Sequence, residues 1–324
     1  MDAKSLRIVF MGTPEFAVAS LKALVENGYN VVGVVTAPDK PAGRGKKITQ
    51  PAVKKYAAGK GLNVLQPEKL KNPDFLSLLK EWNPELQVVV AFRILPEVVW
   101  AMPRLGTFNL HGSLLPQYRG AAPINRAIIN GEKETGVTTF LLDQTIDTGK
   151  ILFREKIPIG ENETAGEVHD RMMETGASLV LKTVDYLAEG EWKTLEQEKL
   201  VEKETVLKKA PKIFREDCRI PWKNKAESIR NLIRGLSPYP AAWTTLENRE
   251  KGGKKGAKIY FAEKEYDPNS PKPGTISSDG KTFLKISCAD GWLKITDLQL
   301  EGKKRMKTED FLLGFKNPEM YRAE

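Results

Sequence analysis

A chain of 324 residues, 40% apolar and 29% charged, can bury cores for about two domains, which excludes wholesale disorder. None of its apolar runs approaches the roughly 20 residues of a membrane span, and two cysteines and two histidines exclude a disulfide framework and a catalytic metal held by several imidazoles. The net charge of +9 is unevenly placed, +2 through residue 209 and +7 beyond it. That asymmetry points to a polyanionic partner, with a merely solvated basic surface as the alternative.

In chain order, Leu6 to Phe10 reads as a buried strand. It is too short for the apolar centre of a secretion signal and lies beside Asp2 and Glu15, so the chain is expected to be cytoplasmic. Pro14 then sits where helices often begin, and Phe16 to Glu26 follows as a helix. Val31 to Val35 is a second strand, and Asp74 to Trp82 another helix. Leu86 to Phe92 is a nearly unbroken apolar run, as a parallel strand covered on both faces requires. Strands separated by helices predict an α/β architecture with an open, doubly wound sheet. Further on, Thr164 and Glu167 have capping-box spacing before a long helix that ends near Gly190.

From about 210 the texture changes. Ile229, Leu232, Ile233 and Leu236 mark one amphipathic helix. Short alternating runs such as Lys258 to Tyr266 and Phe283 to Cys288 follow, with turns at Pro273-Gly274, Asp279-Gly280 and Asp290-Gly291. These predict a smaller β-barrel or sandwich. The division is therefore 1–190, a Glu- and Lys-rich linker at 191–209, and 210–324.

Four segments carry chemistry. In Phe108-Asn109-Leu110-His111, a strand would turn Asn109 and His111 to one face, at a strand end where open α/β sheets bind ligands. An amide beside an imidazole suits a developing oxyanion and proton transfer, although an ordinary structural histidine fits equally well. Asp143-Gln144-Thr145-Ile146-Asp147-Thr148-Gly149 follows the strand Gly136 to Leu142. A carboxylate there could hold His111 protonated, or belong to a solvated turn. Gly12-Thr13-Pro14 matches neither a dinucleotide fingerprint nor a P-loop. From Asp39 to Lys55 six bases (Lys40, Arg44, Lys46, Lys47, Lys54, Lys55) face one acid, in a Gly- and Pro-rich loop suited to phosphate contact or simply to water.

Together these residues resemble a known family. Phe92-Arg93-Ile94-Leu95-Pro96, Asn109 to Pro116, Tyr118-Arg119-Gly120-Ala121-Ala122-Pro123-Ile124 and Ile146-Asp147-Thr148-Gly149 are similar to the folate-dependent formyltransferases. With Met11-Gly12-Thr13-Pro14-Glu15-Phe16 and the C-terminal region, the resemblance spans essentially the whole chain. It implies a Rossmann-like catalytic domain, an OB-like C-terminal barrel that binds tRNA, and no metal. The implied reaction moves formyl from 10-formyltetrahydrofolate to the methionine amine of initiator methionyl-tRNA, in a protein expected to be a monomer. By resemblance, Asn109, His111 and Asp147 are catalytic. Ser113, Leu114, Leu115 and Pro116 match the folate-contacting stretch, and Phe92, Arg93, Ile94 and Leu95 the pterin pocket. Arg44, with Lys40, Lys46 and Lys47, matches an insertion that grips the tRNA acceptor end. One departure is visible: the Phe92 to Pro96 segment is a residue shorter than the common Tyr-Gly-Leu-Ile-Leu-Pro form and looks like that of glycinamide ribonucleotide transformylase.

Two other readings remain open at this point. A formyltransferase acting on a nucleotide or sugar amine would not need the basic loop and basic C-terminal third. An RNA-binding protein with an OB-like barrel would leave Asn109, His111 and Asp147 unexplained.

Overall fold

The computed structural model describes residues 2–42, 47–201, 206–250 and 252–324. Seven strands form the first sheet, in the order Ile151–Pro158, Glu134–Leu141, Thr107–His111, Leu86–Val90, Ile8–Gly12, Val31–Val35 and Val64–Leu65. The last five run parallel, and the first two add an antiparallel edge. Val9, Met11, Val35 and Val89 from this sheet share a buried cluster with Phe75, Leu79 and Val99 from the covering helices. This is the Rossmann-like α/β unit that alternating strands and helices imply.

Local signals explain much of it. Pro14 stands at the N-cap of helix Glu15–Glu26, and Asn72 caps helix Pro73–Glu81 by accepting from the Asp74 amide at 2.8 Å. The Thr164 amide donates to Glu167 Oε2 at 2.8 Å and the Glu167 amide to Thr164 Oγ1 at 3.3 Å, a reciprocal capping box that opens helix Ala165–Ala188. The first strand begins two residues later than the apolar run does. The run from Leu86 ends as a strand at Val90, because Ala91 turns out of it with φ +46°. The basic loop differs more. Lys40–Ala42 pairs antiparallel with Lys47–Thr49, setting Pro41 opposite Ile48 in a two-stranded ribbon, where an edge strand tolerates proline. Arg44 and Lys46 lie outside the described residues.

Contacts divide the chain into two units: 1–120, 134–158 and 169–210 form one; 121–133, 159–168 and 211–324 form the other. The stretch 191–209, whose composition reads as a linker, falls within the first unit, where Lys209–Ala210 pairs with Arg119–Gly120. In the second unit an antiparallel sheet runs Ile276–Ser278, Leu284–Ser287, Gly291–Leu300, Lys254–Tyr266, Ala242–Asn248 and Tyr321–Ala323. A bridge between Thr275 and Arg322 brings its ends together into a nearly closed barrel. Helix Ala226–Leu236 buries Ile229, Ile233 and Leu236 against Leu246, Ile259 and Ile295. Each such side chain contributes about 1.5–3 kcal/mol on removal from water. The helix's polar side is held too: Arg234, buried, donates to the Gly160 and Glu163 carbonyls at 3.3 and 3.1 Å, and burial pushes its guanidinium below the usual range. Among the described residues no helix is long and apolar enough to cross a membrane.

Candidate active site

Strand Thr107–His111 carries the candidate pair Asn109 and His111. Phe108 and Leu110 are buried on one face, while Asn109, half-buried, and His111 alternate to the other. The Asn109 side-chain amide makes no hydrogen bond to another described residue. His111 is 7% exposed, packs edge-on against Phe140, and has Nε2 2.9 Å from the Tyr118 carbonyl. A carbonyl only accepts, so Nε2 carries a hydrogen. The other nitrogen, Nδ1, faces Asp147 Oδ2 at 4.0 Å. Nδ1 is therefore a donor only when the ring is doubly protonated.

The backbone that presents these groups is unusual. Tyr118 and Asp147 adopt φ of +60° and +58°, and Gly120 +127°. Left-handed residues other than glycine cluster where a fold is over-determined around a site. The Gly112–Gly120 loop is pinned by Thr138, whose hydroxyl donates to the Ser113 carbonyl at 2.6 Å and accepts from the Leu115 amide at 3.1 Å. Its far end is tied where the Tyr118 amide donates to the Lys208 carbonyl at 2.7 Å. The Gly120 amide then donates to Asp147 Oδ2 at 2.9 Å. A Cβ on Gly120 would fall 2.4 Å from the Ala210 carbonyl oxygen. Gly120→Ala is accordingly expected to lower stability by about 1–3 kcal/mol, read as a shifted midpoint in urea denaturation.

The two aspartates of the 143–149 loop have different employment. Asp143 is held within its own turn, accepting from the Thr145 amide at 3.0 Å and the Thr148 hydroxyl at 2.9 Å. Asp147 faces His111. Spacing alone could not separate them.

Ser113, Leu115 and Pro116 are buried in the pinned loop, and Leu114, half-buried, lies on Gly136. Leu95 and Phe92 join the cluster beneath the sheet, whereas Ile94 is 71% exposed. Arg93 stacks near Phe92 and donates to the carbonyls of Glu68 (2.8 Å) and Pro67. Lys40 is exposed on the ribbon and Lys47 begins its second strand. Sequence reading missed the Tyr118 carbonyl and the Gly120 amide, which are backbone groups with no residue signature. Among the described residues no group of three His, Cys, Asp or Glu side chains is placed to hold a metal.

An imidazole hydrogen-bonded to a carbonyl, with a carboxylate 4.0 Å from its other nitrogen and an amide two residues earlier on the same strand, is a set of groups chemically suited to stabilising an oxyanion. Comparison with known proteins makes the class specific. The formyl transferase family model matches residues 6–184, and the formyl transferase C-terminal domain model matches 212–316. The chain belongs to the formyl transferase family of enzymes.

Among curated relatives it is 53% identical over 324 residues to the methionyl-tRNA formyltransferase of Bacteroides fragilis, covering 100% of this chain and 99% of that one. It is 55% identical over 317 residues to that of Parabacteroides distasonis, covering 98% of each. Solved structures share the fold at lower identity. HypX from Aquifex aeolicus, in complex with tetrahydrofolic acid, superposes with a TM-score of 0.62 at 18% identity, over 95% of this chain and 47% of that chain. WlaRD, a sugar 3N-formyl transferase, gives 0.62 at 20% identity over 92% and 99%.

Proposed function

We propose that this enzyme transfers a formyl group from 10-formyltetrahydrofolate to the α-amine of methionine on initiator tRNA. The observation that carries the reading is full-length identity above half to relatives bearing that name. The disposition of Asn109, His111 and Asp147 supports it chemically.

The neutral amine attacks the formyl carbon; a C–N bond forms and the carbonyl electrons move to oxygen. The Asn109 amide and the Nδ1–H of doubly protonated His111 stabilise that oxyanion. Asp147 takes the proton released by the amine and returns it to N10 as the C–N10 bond breaks. Formyl-methionyl-tRNA and tetrahydrofolate leave, with protons balanced. Ser113 to Pro116 and Phe92 to Leu95 are assigned to the folate side of the site.

The tRNA reading is supported by charge and surface chemistry. The second unit has a cleft of about 600 Å³ walled by Trp243, Tyr239 and Phe214 with Arg215 and Lys258, and Tyr239 and Phe214 are largely exposed. Aromatic faces beside cations suit unpaired nucleotides. Residues 1–190 are assigned to catalysis, 191–209 to a connection that packs within the catalytic unit, and 210–324 with Lys40, Arg44, Lys46 and Lys47 to the RNA. The direct test compares formyl transfer to charged initiator and charged elongator methionine tRNA; equal rates would refute initiator specificity.

Charge should act on engagement and not on chemistry. Arg44→Ala is expected to weaken tRNA binding and to flatten its decline with salt, by about one unit of slope for each phosphate no longer neutralised. Binding measured across a salt series for wild type and variant decides this. Identical affinities and slopes would make the basic loop a solvated face.

A further inference from the structure

We propose that Gln197 is a positioning residue for the reaction: its side-chain amide holds the turn that carries Asp147 at its working distance from His111. The proposal rests on the catalytic reading of Asp147.

Gln197 opens a short 3-10 turn, Gln197–Leu200, in a stretch rich in Glu and Lys. Among residues 191–201 it alone is fully buried. A buried amide must have both its donors and its acceptor partnered, and here every partner is accounted for. Arg119 donates to Gln197 Oε1 from Nε at 3.0 Å and from Nη2 at 2.7 Å. A guanidinium has no acceptor, so it fixes the oxygen at that end and turns Nε2 toward the loop. Nε2 then donates to the Asp147 carbonyl at 3.0 Å and the Gly149 carbonyl at 2.8 Å.

The turn so held needs holding. Asp147 sits at φ +58°, and its neighbour Gly149 returns so close to the preceding strand that a Cβ would lie 1.7 Å from the Leu141 carbonyl oxygen. The Asp147 side chain is caught from the other side by the Gly120 amide at 2.9 Å. Gly120 in turn pairs with Ala210. Gln197 thus reaches the backbone of the aspartate directly, and Ala210 reaches its carboxylate through Gly120. Nothing in the oxyanion chemistry uses Arg119 or Gln197, yet the hydrogen bonds that link them run on to the turn facing His111.

The test is a double-mutant cycle on the full-length enzyme. Gln197→Met keeps length and volume but removes both donors. It is expected to lower kcat roughly 10-fold, because small misplacement of a reacting group is costly, with KM for formyl donor and charged tRNA within about twofold of wild type. In an Asp147→Asn background the same change should cost less than about twofold, since a residue that acts through the aspartate has nothing left to position. Arg119→Leu, which leaves the amide in place but frees its orientation, should reproduce the pattern. It carries the comparison if Gln197→Met fails to fold in a thermal melt. An unchanged kcat, or a roughly 10-fold loss that persists in the Asp147→Asn background, would overturn the positioning role. Wild-type turnover in Asp147→Asn alone would instead overturn the catalytic reading beneath it.

Discussion

His111→Ala is expected to lower turnover by about 10²-fold or more, and Asn109→Ala by a similar factor, the scale on which a lost oxyanion donor is felt. Both groups stand at the end of strand Thr107–His111, on the face opposite Phe108 and Leu110, so removing them does not hollow the main core. His111 is the more instructive of the two. Its Nε2–H is committed to the Tyr118 carbonyl at 2.9 Å, and only Nδ1 is left for chemistry. The alanine variant also leaves that carbonyl without its donor, which costs about 1–3 kcal/mol in stability. Turnover must therefore be measured with saturating substrates well below the variant's melting temperature. A variant folded by circular dichroism that kept near wild-type turnover would remove His111 from the oxyanion site.

Asp147→Asn is the second large effect. The amide is nearly isosteric, and its oxygen can still accept from the Gly120 amide at 2.9 Å, so the turn is expected to survive. What goes is the carboxylate charge 4.0 Å from His111 Nδ1 and, on the proposed mechanism, the base that carries the amine proton. Turnover should fall by about 10²-fold or more, as when general acid–base help is removed, while tRNA affinity in a filter-binding titration is expected to stay within about twofold, since the Asp147 carboxylate faces His111 and the Gly120 amide. A defect confined to binding would reassign Asp147 to substrate contact. The amine must also be unprotonated to attack, so the wild-type rate should rise from acid toward neutral pH. Sharper division comes from comparing pH profiles of kcat for wild type and variant, because only the wild type keeps the carboxylate.

Elements whose instructions lie within a few residues are legible in the sequence. The Thr164–Glu167 box, the Asn109–His111 alternation and the Ile229–Leu236 stripe each appear where their spacing puts them. They can be read because a cap, a period of two and a period of 3.6 are properties of neighbouring residues. The basic loop is legible in charge but not in form, since pairing Lys40 with Thr49 depends on a ribbon that glycines and prolines obscure. The antiparallel edge Ile151–Pro158 likewise needs a partner strand to be recognised.

The site divides in the same way. Sequence alone supplies Asn109, His111 and two aspartates of one loop as chemically apt groups, and resemblance singles out Asp147. Only the tertiary structure brings Asp147 within 4.0 Å of a histidine 36 residues earlier and turns Asp143 back into its own loop. The Tyr118 carbonyl and Gly120 amide leave no trace in the sequence, because nearly every residue has those groups and only backbone conformation aims them. Gln197, 50 residues beyond Asp147, is hidden among charged neighbours until folding buries it. Residue types and local periods set which groups are available, while the long-range pairings of the sheet and the left-handed turns at Tyr118 and Asp147 decide which of them meet.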